Sequence, residues 1–211
     1  YWRLVDPFGR NVFGPTAFNA DAGLVTLAWD GEYTLLLEGR VQPDGDALYT
    51  FNVQPVSDTQ TALTLGATVA DAIAHAGDRH LYTFTLDAAS RLCFDSLTNS
   101  SAFKWSLSGP RGTVVSSRAF SDSDSADFGA SPVLDLAAGD YTLIVDPDND
   151  AVGDYGFRLF DLGQAAELVL GDTVSATLAS GRETLAYRID APARSRLLFD
   201  LLTENRDSAY W

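Results

Sequence analysis

Short runs in which apolar and polar residues alternate recur along the chain, and each run has the length of a β-strand. Glycine, proline and aspartate separate the runs, most densely at Ser108-Gly-Pro-Arg-Gly112 and at 146–150. The alternation predicts one weaker strand at 68–73 and seven others at 81–86, 91–95, 103–108, 113–117, 132–136, 140–145 and 155–160. This spacing, with no helical apolar stripe, predicts an all-β fold of jelly-roll or Greek-key sandwiches.

The same pattern returns within the chain at a spacing of about 105 residues. The tryptophans, tyrosines, turn glycines and strand residues recur in one consistent order, which is the signature of tandem repeats. The matching segments are 1–12 with 103–115, 31–35 with 139–143, 65–69 with 170–174, and 91–98 with 196–203.

Aligning the chain with itself predicts three parts. Residues 1–58 match the C-terminal half of a repeat, 62–162 form one complete repeat, and 166–211 match the N-terminal half of a further repeat. Half a sandwich exposes an apolar face and unpaired strand edges. We therefore expect each half to be completed, either by continuation of the chain or by the matching half of an adjoining chain. Both alternatives predict a string or filament of domains.

The charge of the chain narrows the classes of function. The net charge is −15, with 24 aspartates, five glutamates and a single lysine, Lys104. This surface repels phosphate, which argues against nucleic-acid binding. No apolar run is long enough to span a membrane. The single cysteine, Cys93, excludes a disulfide framework within the chain, and its alternating context predicts a buried small hydrophobic residue.

The densest group of carboxylates lies in the turn between the last two predicted strands. Ca²⁺ takes six to eight oxygen ligands, which aspartates around a glycine turn can supply. The matching segment 38–46 keeps only the Gly-Asp pair, so a calcium site would belong to one copy, and a plain aspartate-rich turn is the alternative. A second acidic segment, 121–127, is predicted to be a solvated loop. The candidate calcium ligands are Asp146, Asp148, Asn149, Asp150 and Asp154.

Residues with catalytic chemistry are few. His75 and His80 are the only histidines, neither recurs in the other copy, and no nucleophile elbow accompanies them. Asp95 recurs as Asp200 at the end of matching strands, which predicts that it accepts hydrogen bonds from backbone donors or stabilises a turn. The recurring aromatic residues are predicted to form the core, with a sugar-stacking platform as the alternative. The sequence therefore predicts that the chain is not an enzyme. The recurring aromatic residues are Trp105, Tyr141, Tyr155 and Phe157.

A set of loosely spaced motifs resembles one known family. The motifs are Leu65-Gly-x-Thr-Val69, Gly77-Asp-x-x-x-Tyr82-x-Phe84, Leu92-x-Phe94, Trp105-x-Leu-x-Gly-Pro-x-Gly112, Leu136-x-x-Gly-x-Tyr-Thr-Leu143 and Gly153-x-Tyr-x-Phe157. In this order they resemble the bacterial pre-peptidase C-terminal domain family. The resemblance implies a jelly-roll sandwich that is appended to secreted proteases or repeated in large surface proteins, some members binding calcium, collagen or carbohydrate.

Together these features predict a non-catalytic, extracellular or cell-surface repeat with a structural or adhesive role. The expected partners are neighbouring copies of the same repeat. The alternative is a carbohydrate- or collagen-binding module with calcium-stiffened loops, accessory to a secreted enzyme, whose partner is a glycan or a matrix protein. Calcium is the one cofactor that the sequence suggests.

Overall fold

The computed structural model describes residues 1–39, 45–46, 48–124, 128–148, 150–179 and 182–202. The chain is all-β and divides into two compact units, Tyr1–Pro55 and Val56–Trp211. Within the described residues, the helical elements are two single 3₁₀ turns, Phe120–Asp122 and Leu162–Gln164. No helix of the described part is long and apolar enough to cross a membrane.

The smaller unit contains a three-stranded antiparallel sheet. Its strands are β1 (Trp2–Val5), β2 (Asn11–Thr16) and β3 (Thr34–Leu37), in the spatial order β2-β1-β3. In the described part of the chain β3 is therefore an edge strand, paired on one side with β1.

The larger unit contains a β-sandwich of nine strands followed by a short parallel pair. One sheet has the order β10-β7-β12-β5 and the other β4-β6-β11-β8-β9, and the β4–β6 pairing alone is parallel in these two sheets. The strands are β4 (Asp58–Ala62), β5 (Thr68–Ile73), β6 (Arg79–Leu86), β7 (Ser90–Ser96), β8 (Lys104–Gly109), β9 (Gly112–Ala119), β10 (Val133–Leu136), β11 (Gly139–Val145), β12 (Gly153–Asp161), β13 (Ala166–Glu167) and β14 (Tyr187–Arg188).

The predicted sandwich is confirmed, and the eight strands predicted between residues 68 and 160 lie within two residues of their observed ends. The ninth strand, β4, was not predicted. Its sequence, Asp-Thr-Gln-Thr-Ala, has no alternation because all five residues are exposed on an edge strand. Backbone pairing with β6 holds this strand in place, and such pairing leaves no hydrophobic signal in the sequence.

Stacked aromatic rings fill the space between the two sheets. Phe94 on β7 stacks on Trp105, with ring centroids 3.9 Å apart, and on Phe157, with centroids 5.1 Å apart. Trp105, Tyr141, Tyr155 and Phe157 are all buried, which confirms the core prediction. Cys93 is buried as predicted, and burial raises the pKa of its thiol to about 12.

One loop prediction was wrong. Ser123 and Asp124, in the segment predicted to be solvated, are buried beside the core. The indole N–H of Trp105 donates to Ser123 Oγ at 2.7 Å, and the backbone N–H of Ser96 donates to Asp124 Oδ2 at 2.6 Å. Buried donors need acceptors, so these two loop residues serve the core. Residues 125–127 of the same loop lie outside the described residues.

The pairing of β1 with β3 in the smaller unit has the same register as the pairing of β8 with β11 in the larger unit. Trp2 and Trp105 are 103 positions apart, whereas Thr34 and Thr142 are 108 positions apart. With these two offsets, every residue pair between β1 and β3 has its counterpart between β8 and β11. The pairs are Trp2–Leu37, Arg3–Leu36, Leu4–Leu35 and Val5–Thr34, and Trp105–Val145, Ser106–Ile144, Leu107–Leu143 and Ser108–Thr142.

A glycine turn gives a second correspondence between the two units. Gly31 has φ +140°, and a Cβ placed there would lie 2.6 Å from the Pro7 ring. Gly139 has φ +138°, and its Cβ would lie 2.8 Å from the Pro110 ring. Both positions thus require glycine for the backbone angle and for the proline packing, which explains why the Pro and Gly recur together.

The segment after the sandwich repeats the pairing of β4 with β6. At a constant offset of 105, the β13–β14 pairs repeat two pairs between β4 and β6, and both pairings are parallel. The backbone N–H of Leu168 donates to Arg188 O at 2.8 Å, as that of Leu63 donates to Thr83 O at 2.8 Å. The pairs are Ala166–Tyr187 and Glu167–Arg188, and Thr61–Tyr82 and Ala62–Thr83.

Candidate functional site

The acidic turn predicted to bind calcium lies between β11 and β12. The backbone N–H of Asp146 donates to Lys104 O at 3.0 Å, and that of Asp148 donates to Ala102 O at 2.7 Å. Lys104 Nζ lies 3.3 Å from Asp148 Oδ2. Asp150 is exposed within the turn, Asp154 is exposed at the start of β12, and Asn149 lies outside the described residues.

Two cations, Lys104 and Arg79, lie close to the carboxylates of this turn. Burial raises the pKa of Asp146, and Arg79 opposes the rise while Asp58 and Asp148 add to it. Arg79 itself donates to both carboxylate oxygens of Asp58, at 2.9 and 2.5 Å. In the part of the chain that the structure describes, no three His, Cys, Asp or Glu side chains gather closely enough to hold a metal ion. The calcium site stays a prediction from sequence.

We expect saturating Ca²⁺ to leave the thermal unfolding midpoint of the chain unchanged. Lys104 pairs with Asp148, and Arg79 lies near Asp146, so an entering cation would have to displace or repel an existing positive charge. Differential scanning calorimetry in Ca²⁺ and in EDTA tests this, with Mg²⁺ as the matched control for ionic strength. A midpoint raised by several degrees in Ca²⁺ alone would instead establish the predicted site.

His80 belongs to a hydrogen-bonded group at the entrance of β6. Its Nδ1 lies 2.6 Å from Tyr155 Oη and 3.1 Å from Asp71 Oδ2. Tyr82 Oη lies 2.6 Å from Tyr155 Oη and donates to Asp71 Oδ2 at 3.0 Å. Burial raises the pKa of both tyrosines far above the usual range, so both keep their protons at neutral pH. This group links the two sheets by hydrogen bonds.

His75 lies apart from that group, exposed in the turn before β6. Its Nδ1 is 3.2 Å from Asp78 Oδ2. Within the described residues neither histidine hydrogen bonds to a serine hydroxyl. A Ser–His–Asp arrangement needs that bond, so this geometry gives no support for nucleophilic catalysis at either histidine.

A buried ion pair joins β7 to β12. Asp95 and Arg158 are directly opposite each other in the antiparallel register of the two strands. Arg158 Nε and Nη2 donate to Asp95 Oδ2 at 3.1 and 2.6 Å. Phe94 faces the core, so its neighbour Asp95 faces the outside of the sheet, yet Asp95 has no exposed surface. Something outside the sandwich must therefore cover it.

The cover is the segment that follows the sandwich. The backbone N–H of Thr184 donates to Asp95 Oδ1 at 3.1 Å, and Thr184 O accepts from Arg158 Nη2 at 2.7 Å. Arg158 Nη1 also lies 3.3 Å from Glu183 Oε1. We call these four residues, Asp95, Arg158, Glu183 and Thr184, the junction clamp. It joins the sandwich to the segment that follows it in the chain.

Two further arginine contacts flank the junction clamp. Arg182 Nη1 donates to Leu97 O at 3.3 Å, and Arg188 Nη1 donates to Gly163 O at 2.6 Å. Each links a side chain of the following segment to a backbone carbonyl of the sandwich or of the turn after it. Together with the three contacts that Glu183 and Thr184 make in the junction clamp, these two arginine contacts hold the segment 182–188 against the sandwich and the turn after it.

The sequence identified one member of the junction clamp and missed the others. Asp95 accepts a backbone donor, Thr184 N–H, as its recurrence with Asp200 had predicted. Arg158 was missed because the matching position in the first copy, Asn52, has no charge. The one available signal was a lone arginine in the aromatic run Tyr155-Gly-Phe-Arg-Leu-Phe160, on the face opposite Phe157.

Comparisons with known proteins are limited to distant structures. No family model and no curated protein matches the sequence. PliG of Salmonella Typhimurium, a periplasmic inhibitor of g-type lysozyme, is 17% identical over 49% of this chain and 98% of its own, with a TM-score of 0.38. The pre-peptidase C-terminal domain of a Bacillus anthracis collagenase is 18% identical over 51% of this chain and 99% of its own, with a TM-score of 0.33. Identities and scores this low carry no inference about function.

Proposed function

We propose that this chain is a section of a non-catalytic, extracellular structural protein built as a string of β-sandwich repeats. The main support is that pairs of strands recur with the same residue-to-residue register. β1 pairs with β3 as β8 pairs with β11, and β13 pairs with β14 as β4 pairs with β6, at the offsets of the sequence repeat. Residues on both sides of the complete sandwich thus adopt parts of the same sandwich pattern. The extracellular location rests on the family resemblance of the motifs.

The junction clamp would make the proposed string stiff. Flexible linkers between domains are polar and make few contacts. Here the segment after the sandwich is instead bound through a fully buried carboxylate, Asp95, and through Arg158. A junction of this kind transmits orientation from one repeat to the next, which suits a stiff spacer or fibre.

A head-to-tail fusion tests the proposal directly. Two, three and four copies of the chain are joined so that the closing Tyr-Trp of one copy serves as the opening Tyr-Trp of the next. We expect small-angle scattering to show a maximum dimension that grows in proportion to the number of copies, and electron microscopy to show beaded rods. A dimension that grows only as the cube root of mass, as in a compact particle, would refute the string.

A further inference from the structure

Two aromatic rings and an arginine form an exposed cluster on the smaller unit. Phe8 lies in the turn between β1 and β2, and Trp29 lies in the turn before β3. Their rings meet edge to face, with centroids 5.8 Å apart, yet the two residues are 66% and 53% exposed. The guanidinium carbon of Arg10 lies 5.1 Å from the ring centroid of Phe8 and 5.6 Å from that of Trp29. We call these three residues the aromatic corner. Aromatic residues and arginine are the types enriched where proteins bind partners.

Hydrogen bonds from neighbouring residues fix the backbone and the arginine of the aromatic corner. Asp6, which is buried, accepts from the backbone N–H groups of Phe8 and Arg10, each at 2.9 Å. It also accepts from Arg10 Nε at 2.7 Å. Tyr33 Oη donates to Trp29 O at 2.8 Å and accepts from the backbone N–H of Trp29 at 3.1 Å. Residues that are held in place before binding lose little conformational entropy when a partner arrives, which favours binding.

The aromatic corner occupies a place that is surface in the complete sandwich. The repeat offsets match Phe8 with Arg111 and Trp29 with Ala137. Arg111 is exposed, and both matching positions line an open cleft of about 430 Å³. Arginine is almost never fully buried without a partner, so this position is not a core position of the repeat. The exposure of the two rings therefore belongs to the turns themselves and does not depend on which part of a repeat precedes them.

The backbone that carries the aromatic corner recurs in the larger unit, whereas the rings do not. Tyr141 Oη donates to Ala137 O at 2.9 Å, as Tyr33 Oη donates to Trp29 O at 2.8 Å. The proline and the glycine that pack together in these turns recur as well. The complete repeat thus forms the same turns without exposed aromatic rings. Folding of the turns does not explain the rings, which leaves binding as their role.

The aromatic corner offers apolar ring faces together with hydrogen-bond donors. Within the described residues, Trp29 Nε1 and Arg10 Nη1 donate to no protein acceptor. The adjoining carboxylate of Asp6 already accepts from two backbone N–H groups and from the guanidinium of Arg10. Because the free groups are N–H donors, a complementary ligand carries acceptors beside apolar rings.

The surrounding charge argues that these acceptors are neutral. The whole chain has a net charge of −15. Asp6 neutralises Arg10 by pairing with it, and the exposed Asp30 and Glu32 follow Trp29 in the same turn. An anionic ligand would be repelled by this surface, whereas carbonyl oxygens would not.

We propose that the aromatic corner binds a proline-rich segment of a partner protein in the polyproline II conformation. Proline has no backbone N–H, so such a segment presents rings and carbonyl acceptors, which match the ring faces and the free donors. Its conformation is formed before binding, and aromatic surfaces recognise it for that reason. A neutral glycan matches less well, because each of its hydroxyl groups also donates and the corner has no free acceptor to receive it. The inference goes beyond the proposed string, since it gives a repeat a partner other than its neighbours.

Titration of the full chain with acetylated and amidated decaproline tests the inference. The four tryptophans give separate indole signals in a ¹H–¹⁵N correlation spectrum, and Trp29→Phe identifies the signal of Trp29. We expect that signal to shift saturably with decaproline, because its N–H gains an acceptor. The signal of the buried Trp105, whose N–H donates to Ser123 Oγ, should not move. A glycine–serine peptide of the same length, which has no preformed conformation, should shift neither.

Two alanine variants locate the site. Phe8→Ala and Trp29→Ala should each weaken decaproline binding by about tenfold or more, as truncation of a central binding residue does. Both side chains are exposed, so the circular dichroism spectrum should stay unchanged. For Trp29→Ala the shift of the backbone signals of residues 8–10 replaces the lost indole signal as the readout. Arg111→Ala, at the position of the larger unit that matches Phe8, is the matched control and should leave the affinity unchanged.

Three results would overturn the inference. Decaproline could leave the Trp29 signal unmoved, or bind equally well to the chain and to both alanine variants. A saturable shift with cellohexaose and none with decaproline would instead assign the aromatic corner to a neutral glycan. None of these results bears on the fusion series, so this inference and the proposed function fail separately.

Discussion

Replacing Arg158 with alanine is expected to lower the free energy of unfolding of the larger unit by about 3–5 kcal/mol, the usual cost of removing one partner from a buried ion pair. Asp95 is fully buried and loses both guanidinium hydrogen bonds. Thr184 O loses its donor at the same time, which frees the following segment. Urea denaturation followed by circular dichroism measures the loss, and proteolysis of the segment around 182–188 should accelerate in parallel.

The matched control is Asp95→Asn. Asparagine keeps an oxygen that can accept from Thr184 N–H, and Arg158 keeps Glu183 as a partner, so we expect a smaller loss than for Arg158→Ala. The double variant Asp95→Asn/Arg158→Met, which has neither buried charge, should be more stable than Arg158→Ala alone. A change below about 0.5 kcal/mol for Arg158→Ala would contradict the assignment of the junction clamp as a structural link.

The pKa of Asp95 indicates why the junction clamp is a positioning device. Burial raises this pKa despite the opposing effect of Arg158 and Thr184, so folding favours the protonated carboxyl. That contribution to stability is complete below the unfolded pKa and is lost as the pH rises through the higher folded pKa. Ionisation of Asp95 is therefore less favourable in the folded chain than in the unfolded chain. The pair holds the next segment in one orientation, which an apolar pair of the same volume would not specify.

Periodicity in the sequence predicted those parts of the fold that have a buried face. The strands from β5 to β12 and the aromatic core residues were found because alternation reports burial on one side of a strand. The strand β4 was missed because all five of its residues are exposed, so its pairing with β6 leaves no alternation of apolar and polar residues. The polar sequence around Ser123 and Asp124 predicts solvated residues, because nothing local indicates the donors that they serve elsewhere in the fold, Trp105 and Ser96.

The junction clamp was harder to predict because its contacts join residues that are far apart in the sequence. Asp95 and Thr184 are 89 positions apart, and their contact requires the outer face of one sheet to be covered by the segment that follows the sandwich. Comparison between repeats could not find it, since Arg158 and its counterpart Asn52 differ. The sequence repeat does provide pairs of corresponding positions that hold the same residue type but differ in burial. Substituting both members of such a pair separates the effect of the residue type from the effect of its burial.

Phe94 and Phe199 make the sharpest of these matched comparisons. Phe94→Ala is expected to lower the free energy of unfolding by about 3–5 kcal/mol, because it removes a fully enclosed ring and leaves a cavity between the sheets. The lost contacts include stacking on Trp105 and Phe157 and an edge-to-face contact with Phe120. Urea denaturation followed by circular dichroism, at a protein concentration where the chain is monomeric, measures the change.

Phe199→Ala makes the same chemical change at the position that matches Phe94 at an offset of 105. Because Phe199 is largely exposed, we expect the stability of the monomer to change by less than about 0.5 kcal/mol. The same urea denaturation, at the same protein concentration, measures this change. Equal destabilisation by the two substitutions at low concentration would mean that Phe199 is already enclosed within its own chain.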